Sequence, residues 1–89
     1  MAETEVLPVN LTQRRIDLMV FIQNFRDEHG YPPTARELTQ LMGIASVSTT
    51  HAHLVLLQRG GLVDWSPGLP RTTRITPDGK LRLRQLGVL

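Results

Sequence analysis

The chain contains no cysteine among its 89 residues. That excludes a disulfide framework and any thiolate-held zinc, and it fits a reducing compartment. No apolar run approaches the roughly 18 residues needed to cross a bilayer. Residues 1–10 carry Glu3 and Glu5 where a secretion signal would be basic and then apolar, so a short flexible tail is expected there on a soluble, cytoplasmic protein. Internal repeats and low-complexity segments are absent. So are the patterns on which catalysis is commonly built: a glycine-rich phosphate loop, a nucleophile elbow, a working pair of carboxylates. Ser46, Ser48, His51 and Asp64 are triad residue types without a triad pattern, and a chain this short has little room to enclose a substrate. An enzyme is therefore not expected, and no cofactor is implied. His51 and His53 invite a metal, but on a helix positions i and i+2 point about 200° apart and cannot chelate one ion.

Charge is also scarce, with a net of only +2, but it is unevenly spread. Residues 1–57 hold four arginines (14, 15, 26, 36) against six acids, a net of −2. Residues 58–89 hold Arg59, Arg71, Arg74, Lys80, Arg82 and Arg84 against Asp64 and Asp78, a net of +4. A basic half on a near-neutral chain suits a polyanionic partner, and a solvated basic tail is the competing reading.

What is present is a succession of well-punctuated helices. The first runs from Leu11 to about His29, with Thr12 as cap and Gly30 just beyond its end. It carries two apolar stripes. Leu18, Phe21, Ile22 and Phe25 form one, and Ile16, Met19 and Val20 lie roughly opposite. A helix apolar on two sides is covered on two sides, here by the C-terminal segment or by a second copy of the chain. Tyr31-Pro32-Pro33 then imposes an extended connection.

Thr34-Ala35-Arg36-Glu37 reads as a capping box opening a short second helix, with Leu38, Leu41 and Met42 expected to be buried and Gly43 ending it. Ser46 caps a third helix that reaches about Arg59, its inward positions being Thr50, Leu54 and Leu57; Gly60-Gly61 stops it. Two β-prone runs, 62–65 and 71–75, flank the turn Ser66-Pro67-Gly68-Leu69-Pro70 and predict a hairpin. Thr76 at a cap position followed by Pro77 favours a last helix closed by Gly87, although the Leu81-Arg82-Leu83-Arg84 alternation also suits a strand.

The order predicts a mainly α fold with a small β-hairpin. It is a winged helix-turn-helix over residues 11–76, with a three-helix core and a two-stranded wing. Residues 77–89 form a C-terminal helix that packs on the first helix or dimerises. Helix-turn-helix geometry brings the N-terminal half of the third helix to the major groove of DNA, braced by the second. With Thr50, Leu54 and Leu57 inward, Ser48, His51, Ala52 and Val55 face out and Thr49 lies beside them. Between Ser46 and Gln58 no residue is charged apart from a protonatable histidine. Ordinary solvated faces carry Lys and Glu. Small hydroxyls, an imidazole and a methyl are groups that reach base edges.

The candidate DNA-binding set is therefore Ser46, Ser48, Thr49, His51, Ala52 and Arg59 on the third helix. Thr34 and Arg36 join it at the positive end of the second helix. Arg71, Thr72, Thr73 and Arg74 on the wing would contact the backbone or minor groove, unless they only protect an edge strand. Glu37 and Trp65 read as structural.

Several of these residues carry a resemblance to the LexA repressor family. They are Leu11-Thr12, Gly30-Tyr31-Pro32-Pro33-Thr34, Glu37-Leu38, Leu41-Met42-Gly43, Ser46, His53-Leu54, Leu57 and Arg59-Gly60-Gly61-Leu62-Val63. From Leu11 to about Ile75 the chain resembles the DNA-binding domain of that family. The resemblance implies a winged helix-turn-helix that represses transcription by binding an operator.

The chain departs from the family in two ways. No counterpart of the family's self-cleaving C-terminal domain is expected, and Ser48, Thr49, His51 and Ala52 differ from its usual base-reading set, so no operator sequence carries over. The segment Ile75-Thr76-Pro77-Asp78-Gly79 with the leucines after it is similar to the last winged-helix segment of MarR-type regulators, where it leads into a dimerising helix. A homodimer through Ile16, Met19 and Val20 together with Leu81, Leu83 and Leu86 would set two domains about 34 Å apart, or a multiple of that, on DNA. A winged-helix adaptor that binds protein and not DNA is the alternative.

Overall fold

The computed structural model describes residues 10–89; all but the last residue of the expected N-terminal tail fall outside them. Four helices and one two-stranded sheet follow in the order α1 (Gln13–His29), α2 (Ala35–Met42), α3 (Val47–Arg59), β1 (Val63–Asp64), β2 (Arg74–Ile75) and α4 (Pro77–Gln85). The arrangement is a winged helix-turn-helix with an added C-terminal helix.

Each helix begins where a side chain supplies the missing acceptor for an orphan N–H. Thr12 Oγ1 accepts from the Arg15 amide at 3.3 Å. Thr34 Oγ1 accepts from Glu37 N at 3.1 Å while Glu37 Oε1 accepts from Thr34 N at 2.9 Å, a complete capping box. Ser46 Oγ caps α3 through Thr49 N, and Thr76 Oγ1 caps α4 through Gly79 N at 2.9 Å. Between α2 and α3 the chain turns at Gly43, whose φ of 65° is left-handed and inexpensive only without a Cβ.

The core is one cluster: Leu18, Met19 and Ile22 from α1, Leu38 from α2, Leu54 and Leu57 from α3, Leu62, Val63 and Ile75 from the wing, and Leu83 from α4. The buried arc of α1 thus draws on both of its apolar stripes. α2, β2 and α4 all pack against α1. Met19 is fully buried within the chain, and Ile16 and Val20 pack partly against the core.

Two residues of α1 and α2 expected inside lie elsewhere. Leu41 is 48% exposed and Phe21 37%; the two line a shallow groove between α1 and α2 with Met42, while Leu18, Ile22 and Leu38 are buried in the core. Thr39 takes the inward position instead, its hydroxyl 2.7 Å from that of Thr50 and donating to the Ala35 carbonyl. The C-terminal leucines are also split: Leu83 is fully buried while Leu81 and Leu86 are about half exposed.

The two expected β runs pair over only two residues each, Val63 with Ile75 and Asp64 with Arg74. Pro67 and Pro70 have no N–H to extend the ladder. The chain between the strands closes instead through Leu69 N to Ser66 O at 3.1 Å. The Thr72 hydroxyl also accepts from Ser66 N at 2.9 Å and donates to Leu69 O at 3.0 Å.

The wing is joined to α4 at Gly79. A Cβ there would collide with the Leu62 carbonyl oxygen and lie 2.7 Å from Ile75 Cγ2. Glycine is required by this close approach, with Thr76 N donating to Leu62 O at 3.0 Å beside it.

Candidate nucleic-acid interface

α3 divides cleanly by burial. Thr50, Leu54 and Leu57 are inside, while Ser46, Ser48, Thr49, His51, Ala52 and Arg59 are exposed. The Ser46 and Thr49 hydroxyls lie 3.1 Å apart and form the helix start together. His51 stands 5.8 Å from the Trp65 ring, tilted by 59°. His53, two residues on, turns the other way: half-buried, it accepts at Nδ1 from Arg15 Nε at 3.1 Å. Burial, and next the Arg15 and Arg14 charges, hold its pKa below the ordinary 6.5.

A cleft of about 190 Å³ runs between the start of α2, the side of α3 at His51 and Leu54, and the wing; Ser48, Thr49 and Ala52 do not line it. Five of the residues singled out from the sequence line it together: Thr34, His51, Arg71, Thr72 and Thr73, with Trp65 and Leu69 beside them. Arg36 is exposed in the first turn of α2, and Arg59 is exposed at the far end of α3; neither lines the cleft.

The polar groups differ in how far they are already engaged. Thr34 Oγ1 is taken by the cap, and the Thr72 hydroxyl by the wing turn. Arg74 reaches Asp64 at 3.6 Å with both side chains about half exposed, a contact of little energetic weight at a surface.

Arg71 is the most constrained. Its two terminal nitrogens donate to the two carboxylate oxygens of Glu37 at 2.9 and 3.0 Å, and Nη1 also donates to the Pro32 carbonyl at 3.2 Å. Its guanidinium lies 4.7 Å from the centre of the Tyr31 ring. The bond from Arg71, and then that from the Thr34 amide, hold the Glu37 carboxyl below its ordinary 4.5; the Glu37 carboxylate in turn raises Arg71.

From the sequence Arg71 is expected to meet the DNA backbone or minor groove, or only to protect an edge strand, and Glu37 to cap α2. Tyr31 is expected only to help set the extended connection before α2. A capping glutamate has a second oxygen to offer, and that spare acceptor was the available signal; the partner 34 residues away was not legible.

Among the described residues no helix is long and apolar enough to cross a membrane.

The model of the family described as the LexA DNA binding domain matches residues 9–72. Among curated proteins the chain is similar to the LexA repressor of Limosilactobacillus fermentum, 39% identical over 82 residues, which covers 92% of this chain and 38% of that protein. It is 34% identical over 79 residues to the LexA repressor of Bacillus pumilus, covering 89% of this chain and 38% of that one. With the LexA repressor of Oenococcus oeni it shares 40% identity over 75 residues, 84% of this chain and 34% of that one. The chain therefore spans between 34% and 38% of the length of these relatives.

Proposed function

Since the chain belongs to the LexA DNA binding domain family, we propose that it is a sequence-specific binder of double-stranded DNA that acts as a transcriptional repressor in the cytoplasm. The N-terminal half of α3 enters the major groove, where Ser48, Thr49, His51 and Ala52 meet base edges and Ser46 and Arg59 mark the ends of the contact. Arg36, near the positive end of α2, meets phosphate with Thr34 beside it. Thr73 and Arg74 bring the wing to the backbone or the minor groove. The supporting observation is the face of α3: it exposes hydroxyls, an imidazole and a methyl, has no fixed charge between Ser46 and Gln58, and is held by the buried Thr50, Leu54 and Leu57. This proposal requires no catalytic step.

A homodimer is part of the proposal in a narrower form than the sequence suggests. Met19 and Leu83 are used up inside the chain, so the contact falls to Leu81 and Leu86, about half exposed on and just after α4. Sedimentation at concentrations where DNA is saturated would show a single-chain mass if this part is wrong.

The decisive experiment is fluorescence anisotropy with mixed-sequence duplex at two salt concentrations, followed by enrichment from a random duplex library. Binding that weakens steeply with salt, and then one enriched motif, is expected. Absence of binding at low salt would replace the proposal with the protein-adaptor reading.

A further inference from the structure

Resting on the DNA-binding reading for its functional consequence, we propose that Arg71 is a positioning residue. It latches the wing to the start of α2 through Glu37 and Tyr31, and so sets the angle at which wing and α3 meet DNA. Four observations converge on it. Arg71 has a φ of 58°, and it is the single non-glycine residue with positive φ among those described; such a conformation persists where surrounding contacts over-determine it. Its guanidinium makes the paired bonds to both oxygens of one carboxylate that only arginine can make. The same group faces the Tyr31 ring and bonds the Pro32 carbonyl, so three neighbouring residues of the α1–α2 connection and α2 receive one side chain. Finally, the wing has little else to hold its far end: its ladder is two residues long, and the Thr72 bonds stay within the turn. A guanidinium already engaged on several sides is poorly placed to serve as a phosphate ligand. Its part is to reduce the range of wing poses, which raises the fraction of molecules competent to bind.

The test uses Glu37→Gln, Arg71→Ala, Arg71→Lys and the double variant Glu37→Gln/Arg71→Ala, each in the full chain. Glutamine preserves the capping box while removing the charge that pairs with Arg71, and lysine keeps the cation but not the fork. Two measurements are made: exchange of the Ser66 and Leu69 amides, which are hydrogen-bonded within the wing turn, on the free protein, and DNA affinity as a function of salt. Faster wing exchange is expected in every variant, lysine included, with the other helices unchanged. DNA affinity should fall by roughly threefold to tenfold in each single variant and no further in the double, with an unaltered salt slope.

The opposite pattern overturns the latch. In it Glu37→Gln binds as well as or better than the parent, Arg71→Lys is silent, and Arg71→Ala lowers the salt slope by about one phosphate, which makes Arg71 a phosphate ligand. If the parent chain binds no DNA, the exchange data still decide. Unchanged wing protection in Arg71→Ala and Glu37→Gln refutes the latch, and loss of protection upholds it while the DNA-binding reading falls separately.

Discussion

The helix-turn-helix unit of α2 and α3 and the wing that follows it are both small, yet they are held together in opposite ways. α2 and α3 are started by their own caps, separated by a glycine turn, and closed on each other through Leu38, Leu54, Leu57 and the Thr39–Thr50 hydroxyl pair. Every one of these partners lies within about twenty residues of chain, so the entropy of bringing them together is small. The wing has a two-residue ladder and two further ties of different reach. Gly79 lets α4 approach Leu62, 17 residues back, but Arg71 crosses 34 residues to Glu37. The helix pair is held by many contacts at short chain separation. The far end of the hairpin is pinned at one remote point.

That contrast can be probed by substitution, beginning where the effect is greatest. Leu57→Ala should cost about 2–5 kcal/mol in urea unfolding, because Leu57 is fully buried at the centre of the core and its removal leaves a cavity. Helices and wing should then be lost in one transition, and a loss below about 1 kcal/mol would mean that the core is not organised as described.

Gly79→Ala comes next, at roughly 1–3 kcal/mol from overpacking. Its added methyl meets the backbone carbonyl of Leu62 and not a flexible side chain. Here amide exchange should rise in the wing and α4 before it rises in α2 and α3; a uniform rise would erase the distinction between the regions.

Thr50→Val keeps the shape but removes one of the two buried hydroxyls. About 1 kcal/mol is expected, since Thr39 retains the Ala35 carbonyl as acceptor. Binding to DNA should change little once the variant is folded.

The smallest effect is set by pH. A histidine whose folded pKa is depressed takes up its proton more readily in the unfolded chain, so stability is full above about 6.5 and declines as pH falls through that value. The His53→Gln variant should flatten this part of the stability–pH curve, and an unchanged curve would remove His53 as its source. Glu37 acts in a lower window: its depressed carboxyl contributes above its ordinary 4.5 and is lost as pH drops through the folded value.

Helix positions were legible from sequence because their signals are local. Thr12, Thr34, Ser46 and Thr76 cap as their types and spacing require, and Gly43 turns where a Cβ would be costly. The outer face of α3 followed from helical geometry once Thr50, Leu54 and Leu57 were placed inside. Legibility failed where two candidates competed for one buried position. Leu41 and Thr39 both lie within reach of the core, and hydrophobicity favoured leucine; the structure seats the threonine because Thr50 offers its hydroxyl a partner. It failed again for Arg71, whose charge and place on a hairpin say nothing about a carboxylate distant in sequence.

By itself, then, the sequence determined where the helices start and stop, which face of α3 is free of fixed charge, and that a hairpin follows. Those outcomes depend on backbone groups satisfied within a few residues of their partners. Tertiary structure alone decided that α4 covers α1 within one chain, that Leu81 and Leu86 stay outside while Leu83 goes in, and that Arg71 pairs with Glu37 across the surface. Each of these is settled by which surfaces meet across the fold, a competition that no local pattern records.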